Sequence, residues 1–515
     1  MEKLTWNKKF INYFSSYFSA FCLFAIIYIF FTNVHPIIPY DGDDWLSFSQ
    51  FRHAVPMAGY WNAGRVFQEI LYPFLGMFSA FIVYPVTGDY MFSHAITIAL
   101  VLAFAMSVLY VVLFRLFFML AKKRYAAFFG CLYMVVFFFG FFKTRYESTY
   151  MLHGLNYTCV VSYIIPGLLC SILVCILLGY QARNIPVVPQ KTGVFKFGFL
   201  ILFSYLAVFS MLYVSVILAG YCVLFMIVSA IKTKRFDHKN NLFHICVVAG
   251  FLIYCCFEIT SSRASADTIN TFALNESTGF FQRIIIAIGT SFVLFRQISP
   301  VFVVFSVITA AAALVIFFMA FDKNKKSVFV IPVLMTLALT AGVYFSLIIV
   351  SAVAGAAFYP QFIQALYGVF FYLFLSIMFF LVYVLKNFRK SLLFMPVIIF
   401  IFINELFNAN YRFSDQMSYY WAEGQLSTSK KIELTNNWIY MMKEAERAGE
   451  QEVTLFVPDY PNTDDFPHPK GYWGTGFSGA LFVHKITGRY IKINLEYVDG
   501  ILPRNSYWQY TPDNP

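Results

Sequence analysis

The stretch Cys22–Trp45, CLFAIIYIFFTNVHPIIPYDGDDW, passes from unbroken apolar sequence into three carboxylates within four positions, Asp41, Asp43 and Asp44. The apolar segment, roughly 13–32, is long enough to cross a hydrocarbon core as a helix. It lacks a small-residue cleavage site and reads as a retained helix rather than a removed leader. The acid therefore sits just past one end of a membrane span, and the side on which it lies decides what it can do.

The rest of the chain repeats the apolar pattern. Its 515 residues are 60% hydrophobic, 21% aromatic and only 12% charged, with a mean hydropathy of +0.68. Candidate spans fall at 13–32, 92–121, 125–142, 159–180, 198–212, 215–231, 242–260, 301–321, 328–356, 363–385 and 391–407, about 11 in all. The net charge of +11 is not a nucleic-acid signal, because its basic groups lie in short clusters between spans. These clusters are Lys3/Lys8/Lys9, Lys122/Lys123/Arg124, Arg183/Lys191/Lys196, Lys232/Lys234/Arg235/Lys239, Lys323/Lys325/Lys326 and Lys386/Arg389/Lys390. Threading eleven spans puts all six on one face, which the positive-inside rule makes the cytoplasm, with the N-terminus inside. The stretch 70–88, ILYPFLGMFSAFIVYPVTG, would invert that topology if it spanned. With Pro73 and Pro85 opposing a straight helix, it is expected to lie in the interface or to dip in and return. The nine cysteines all fall in or beside apolar runs, which favours packing over disulfides or metal ligation.

The expected fold is thus an all-α polytopic membrane domain over 1–407, followed by a small α/β extracytoplasmic domain over 408–515. The outer loop 33–91 carries the acidic motif, and 143–158 and 261–300 also lie outside. In the tail, Leu434, Trp438, Met441, Met442 and Ala445 form a helical stripe that Gly449 is placed to end. Val453–Val457 and the segment containing Ile491, Ile493 and Leu495 alternate as strands do.

Several residues could carry chemistry. The acidic cluster can be a solvated turn, a general base acting on a hydroxyl, or a carboxylate pair holding a divalent cation. Asp41 precedes a glycine and is placed to shape the turn, while Trp45 follows the cluster directly. Outward arginines run against the charge bias, and Arg65, Arg145 and Arg263 are the candidates to meet a phosphate in bidentate fashion. Each could equally be a solvated charge or a headgroup contact. Glu258 and Glu405 sit near outer helix ends, where an ionisable group faces a cavity or a partner, and His153 lies in an outer loop. There is no P-loop, GxGxxG, HExxH, Ser-His-Asp spacing or ABC signature, so an energised transporter lacks support, and no cytoplasmic loop is long enough for the Rossmann domain of a nucleotide-sugar enzyme.

A first span, an outer loop opening on acid as in DGDDW, many further spans and an outer C-terminal domain together resemble the GT-C superfamily of integral membrane glycosyltransferases. Size, topology and aromatic content are most similar to the bacterial enzymes that decorate surface polysaccharide, such as the serotype-converting O-antigen glucosyltransferases. The likeness of topology covers nearly the whole chain, and the specific motif is the dipeptide Asp43-Asp44. The resemblance implies an inner-membrane enzyme that transfers a sugar, such as glucose, from a polyprenyl-phosphate donor to a surface-glycan acceptor, with inversion. It places the base at Asp43, with Asp44 as the alternative because many relatives have Asp-Glu there. It implies no organic cofactor; a divalent cation stays open, and nucleic acid is not a partner. The competing class is a transporter or flippase for a lipid-linked sugar, which would need polar residues through the middle of several helices.

Overall fold

The computed structural model describes residues 2–136, 157–262, 279–297, 323–387, 428–459 and 472–499, apart from short gaps that include 35, 40–41 and 51–52. Among the described residues, eight helices are long and apolar enough to cross a membrane. They are Ser16–Asn33, Val66–Thr87, Tyr90–Ala121, Tyr157–Ala182, Leu212–Thr233, Asn240–Ile259, Phe329–Val353 and Tyr367–Asn387. The chain is a mainly helical, polytopic membrane protein. The expected span 391–407, nearly all of 301–321 and the end of 125–142 lie outside the described residues.

Tyr367–Asn387 is the central helix, with 94% of its apolar window buried by its neighbours. Its few polar groups are paired inside the bundle: Ser376 Oγ donates to Thr336 Oγ1 at 2.7 Å, and Tyr367 and Ser171 share a hydrogen bond of 3.0 Å. Such pairing is required where no water reaches. All nine cysteines are free, five of them buried. The helices Val194–Val208 and Leu212–Thr233 form a hairpin. Its turn is held from outside, since Phe67 N–H donates to Phe209 O and Tyr254 Oη to Ser210 O, both at 2.9 Å.

One of the two arrangements expected for the stretch 70–88 is overturned. The proline-bearing stretch is a continuous helix from Val66 to Thr87 and does not dip in and return. A π turn at Ser79–Val83 separates the two prolines, and Pro85 falls at the start of the last helical piece, where a missing N–H costs little. Ser79 Oγ donates to Leu75 O at 2.8 Å. One side of this helix leaves Phe74, Phe81, Ile82 and Val86 exposed.

The C-terminal residues form a helix Thr428–Arg447, strand β1 Glu452–Asp459, a crossover helix Trp473–Val483 and strand β2 Lys492–Asp499. The strands pair in parallel from Glu452↔Lys492 to Asp459↔Asp499, an arrangement that needs such a crossover. The stripe Leu434, Trp438, Met441, Met442 and Ala445 is buried, and Gly449, at φ +83°, follows the end of its helix. This unit sits on the segment 33–91 at three places. Its crossover helix packs against the acid helix Gly42–Ser49, where Phe477 meets Trp45 at a ring-centroid distance of 4.8 Å. His484 Nδ1 bonds Tyr90 Oη at 2.5 Å and crowds Gly76, whose added Cβ would lie 2.7 Å from His484 Nε2. Asn436 Nδ2 donates to Asp89 Oδ2 at 3.0 Å and Lys443 Nζ to Tyr84 Oη at 3.1 Å.

Candidate functional site

Asp43 and Asp44 do not lie in a turn. Gly42–Ser49 is a helix with Asp43 and Asp44 in its first turn, where carboxylates complement the positive end of the helix dipole. Successive residues on a helix point about 100° apart, so the two acids face different surroundings. Asp43 lines a cavity of about 810 Å³ and accepts a hydrogen bond from the hydroxyl of Tyr472, which the C-terminal unit contributes. Asp44 is fully buried, and its Oδ1 accepts from both Thr158 N at 2.6 Å and Thr158 Oγ1 at 2.5 Å. Trp45 is fully buried as well, among Phe48, Tyr90, His94 and Phe477. Trp45 and Asp44 thus fasten the acid helix while Asp43 faces open space.

The start of the Val66–Thr87 helix also lines the cavity. Arg65 and Glu69 belong to its wall. Glu69 is 7% exposed and accepts from Asn62 Nδ2 at 2.6 Å. Arg65 pairs with Glu258 at 3.5 Å, their side chains 14% and 13% exposed. Burial works against the Arg65 charge, but the Glu258 carboxylate and nearby tyrosines outweigh it and raise the Arg65 pKa above its ordinary value. The pair is incompletely satisfied: Arg65 Nε and Glu258 Oε1 are buried without hydrogen-bond partners. Gly64 lets this corner form, since a Cβ there would lie 2.2 Å from the Tyr254 ring. The π turn Val160–Ile164 brings Ser162 to the same wall, one turn beyond Thr158.

Asp43 and Arg65, singled out in the sequence, therefore meet at one cavity, and Glu258 joins them through Arg65. Asp41, Arg145, Arg263, Glu405 and His153 lie outside the described residues. The sequence did not point to His53, Gln68, Glu69 or Tyr472. Glu69 left one faint trace, an acid one turn after Arg65 at the head of an apolar helix. Tyr472, 429 positions from Asp43, left none.

The cavity falls within the 300–1,000 Å³ usual for small-molecule sites. It combines one carboxylate facing open space, a buried guanidinium and aromatic rings from Tyr60, Trp61, Tyr72 and Tyr472. Among the described residues, no cluster of three or more His, Cys, Asp or Glu side chains is placed to hold a metal ion. The sequence matches no family model, and no curated protein or solved structure is similar to it.

Proposed function

We propose that this protein is an inverting glycosyltransferase that moves a sugar from a polyprenyl-phosphate donor to a surface glycan at the outer face of a bacterial inner membrane. The observation that carries this is the cavity itself, whose lining includes both Asp43 and Arg65. The acceptor hydroxyl gives its proton to Asp43 as its oxygen bonds to the anomeric carbon. The bond from that carbon to phosphate breaks, and the polyprenyl phosphate leaves as an anion facing Arg65. Inversion by single displacement needs one base, which suits a cavity whose second acid of the motif, Asp44, is turned away and committed to Thr158.

The placement of the C-terminal unit supports an outer-face site. It touches the Val66–Thr87 helix at Gly76 and reaches Tyr84 and Asp89 at its far end. A charged α/β unit does not enter hydrocarbon, so its contacts at Gly76 and Tyr84 support a reading in which this helix lies near the interface, apolar side to lipid. On that reading the proposed topology holds, with the six basic clusters cytoplasmic and the tail outside.

Purified protein in nanodiscs, given a polyprenyl-phosphate hexose and a surface-glycan acceptor, tests the proposal. Transfer that is lost in Asp43→Asn supports it. Movement of the intact lipid-linked sugar between leaflets without transfer would make the protein a flippase instead.

A further inference from the structure

The loop joining the acid helix to the Val66–Thr87 helix contributes His53 to the cavity wall, 8% exposed. Its Nδ1 lies 2.8 Å from Val55 O, and the Tyr60 ring packs edge-on against it with centroids 5.3 Å apart. A carbonyl oxygen only accepts, so Nδ1 carries the proton, and in the neutral imidazole Nε2 keeps its lone pair. That Nε2 is buried and has no hydrogen-bond partner.

A second acceptor in the lining of the same cavity is in the same state. Gln68 Nε2 donates to Ser162 O at 3.3 Å, which fixes the orientation of the amide and leaves Oε1 buried and unpartnered. An unmet buried acceptor carries its full desolvation penalty, and folded proteins keep few of them without a ligand or water to meet the need. Two such acceptors in the lining of one cavity call for a ligand rich in O–H donors. A phosphate offers acceptors and cannot satisfy them; the hydroxyls of a sugar ring can. Gln68 is three residues beyond Arg65 on consecutive turns, so a sugar bonded to a phosphate near Arg65 falls beside it.

We propose that His53 and Gln68 form the subsite that reads the transferred sugar, each accepting a hydrogen bond from one ring hydroxyl and so selecting which hexose is used. This rests on the glycosyltransferase function proposed above. The test uses the full chain in nanodiscs with polyprenyl-phosphate glucose, galactose and mannose and their monodeoxy analogues. Wild-type protein should use one hexose best and lose about 10- to 100-fold in kcat/KM on removal of either of two particular hydroxyls. His53→Ala and Gln68→Ala should each slow the intact sugar by a similar factor yet use the analogue lacking the hydroxyl that the removed residue reads as well as wild type does. His53→Gln, which sets an amide near the Nε2 position, should recover part of the loss. A second readout needs no variant to fold: nitrogen-15 spectra of histidine-labelled wild type should show a bare His53 Nε2 that becomes hydrogen-bonded when the preferred donor is added. Transfer whose hydroxyl preference survives both alanine substitutions overturns the subsite and leaves the enzyme standing. A protonated Nε2 in the free protein does the same. If wild type transfers none of the probes, the glycosyltransferase proposal fails and the subsite falls with it.

Discussion

Gly476→Ala isolates the contribution of the C-terminal unit to the site. An added Cβ at this position would lie 2.8 Å from Leu46 N and 3.3 Å from both Leu46 Cα and Gly42 O. All three are backbone atoms of the acid helix, so no side-chain rotation relieves the clash. The two helices must separate by about half an ångström, and overpacking of this kind costs about 1–3 kcal/mol. The acid helix cannot simply follow, because Asp44 is tied to Thr158 and Trp45 is wedged beneath Phe477. The strain should fall on the Tyr472–Asp43 contact and displace the carboxylate in the cavity. Since a 1 Å misplacement can cost about 10²-fold in rate, we expect kcat to fall about 10- to 100-fold, with a small drop in the thermal midpoint. Transfer kinetics and thermal unfolding in nanodiscs measure both. Gly342→Ala, where nothing lies within 4 Å of the added Cβ, is the control and should be silent. Wild-type kcat and midpoint in Gly476→Ala would refute the idea that this helix contact positions Asp43.

Three further outcomes are expected. Asp43→Asn should lower transfer by about 10²- to 10⁴-fold with the fold intact, whereas Asp44→Asn keeps the Oδ1 that Thr158 donates to and should act mainly on stability; equal activity losses with equal stability would contradict the division of roles. Arg65→Ala should weaken donor use and also destabilise the protein by about 3–5 kcal/mol by stranding Glu258, and adding Glu258→Gln should restore stability without restoring donor use, as read by unfolding and donor KM. Burial pushes His484 down to about 4, so in acid the unfolded chain takes up a proton that the folded one refuses. Stability from this group is complete above about pH 6.5 and declines as pH falls toward 4, by about 3 kcal/mol in total; unfolding midpoints against pH should show the decline in wild type and a flatter profile in His484→Gln.

Sequence alone determined what is local along the chain. Apolar run lengths mark the spans because the hydrocarbon thickness sets helix length, and the period-3.6 stripe from Leu434 to Ala445 marks a buried helix face. The acid at positions 43–44 stood out because a carboxylate is costly in so apolar a chain. Its conformation was less legible: the glycine and aspartates suggest a turn, yet the same residues start a helix when the following Trp45 and Phe48 can be buried. The prolines at 73 and 85 suggested a broken path, and a π turn between them absorbs the misfit instead. What tertiary structure decided is which side chains share the cavity. Arg65 meets Glu258 across nearly two hundred residues, and Tyr472 reaches Asp43 from the far end of the chain. No periodicity encodes such meetings, because they depend on how whole helices and a crossover unit pack, and packing is settled by shape over distances that a local pattern does not cover.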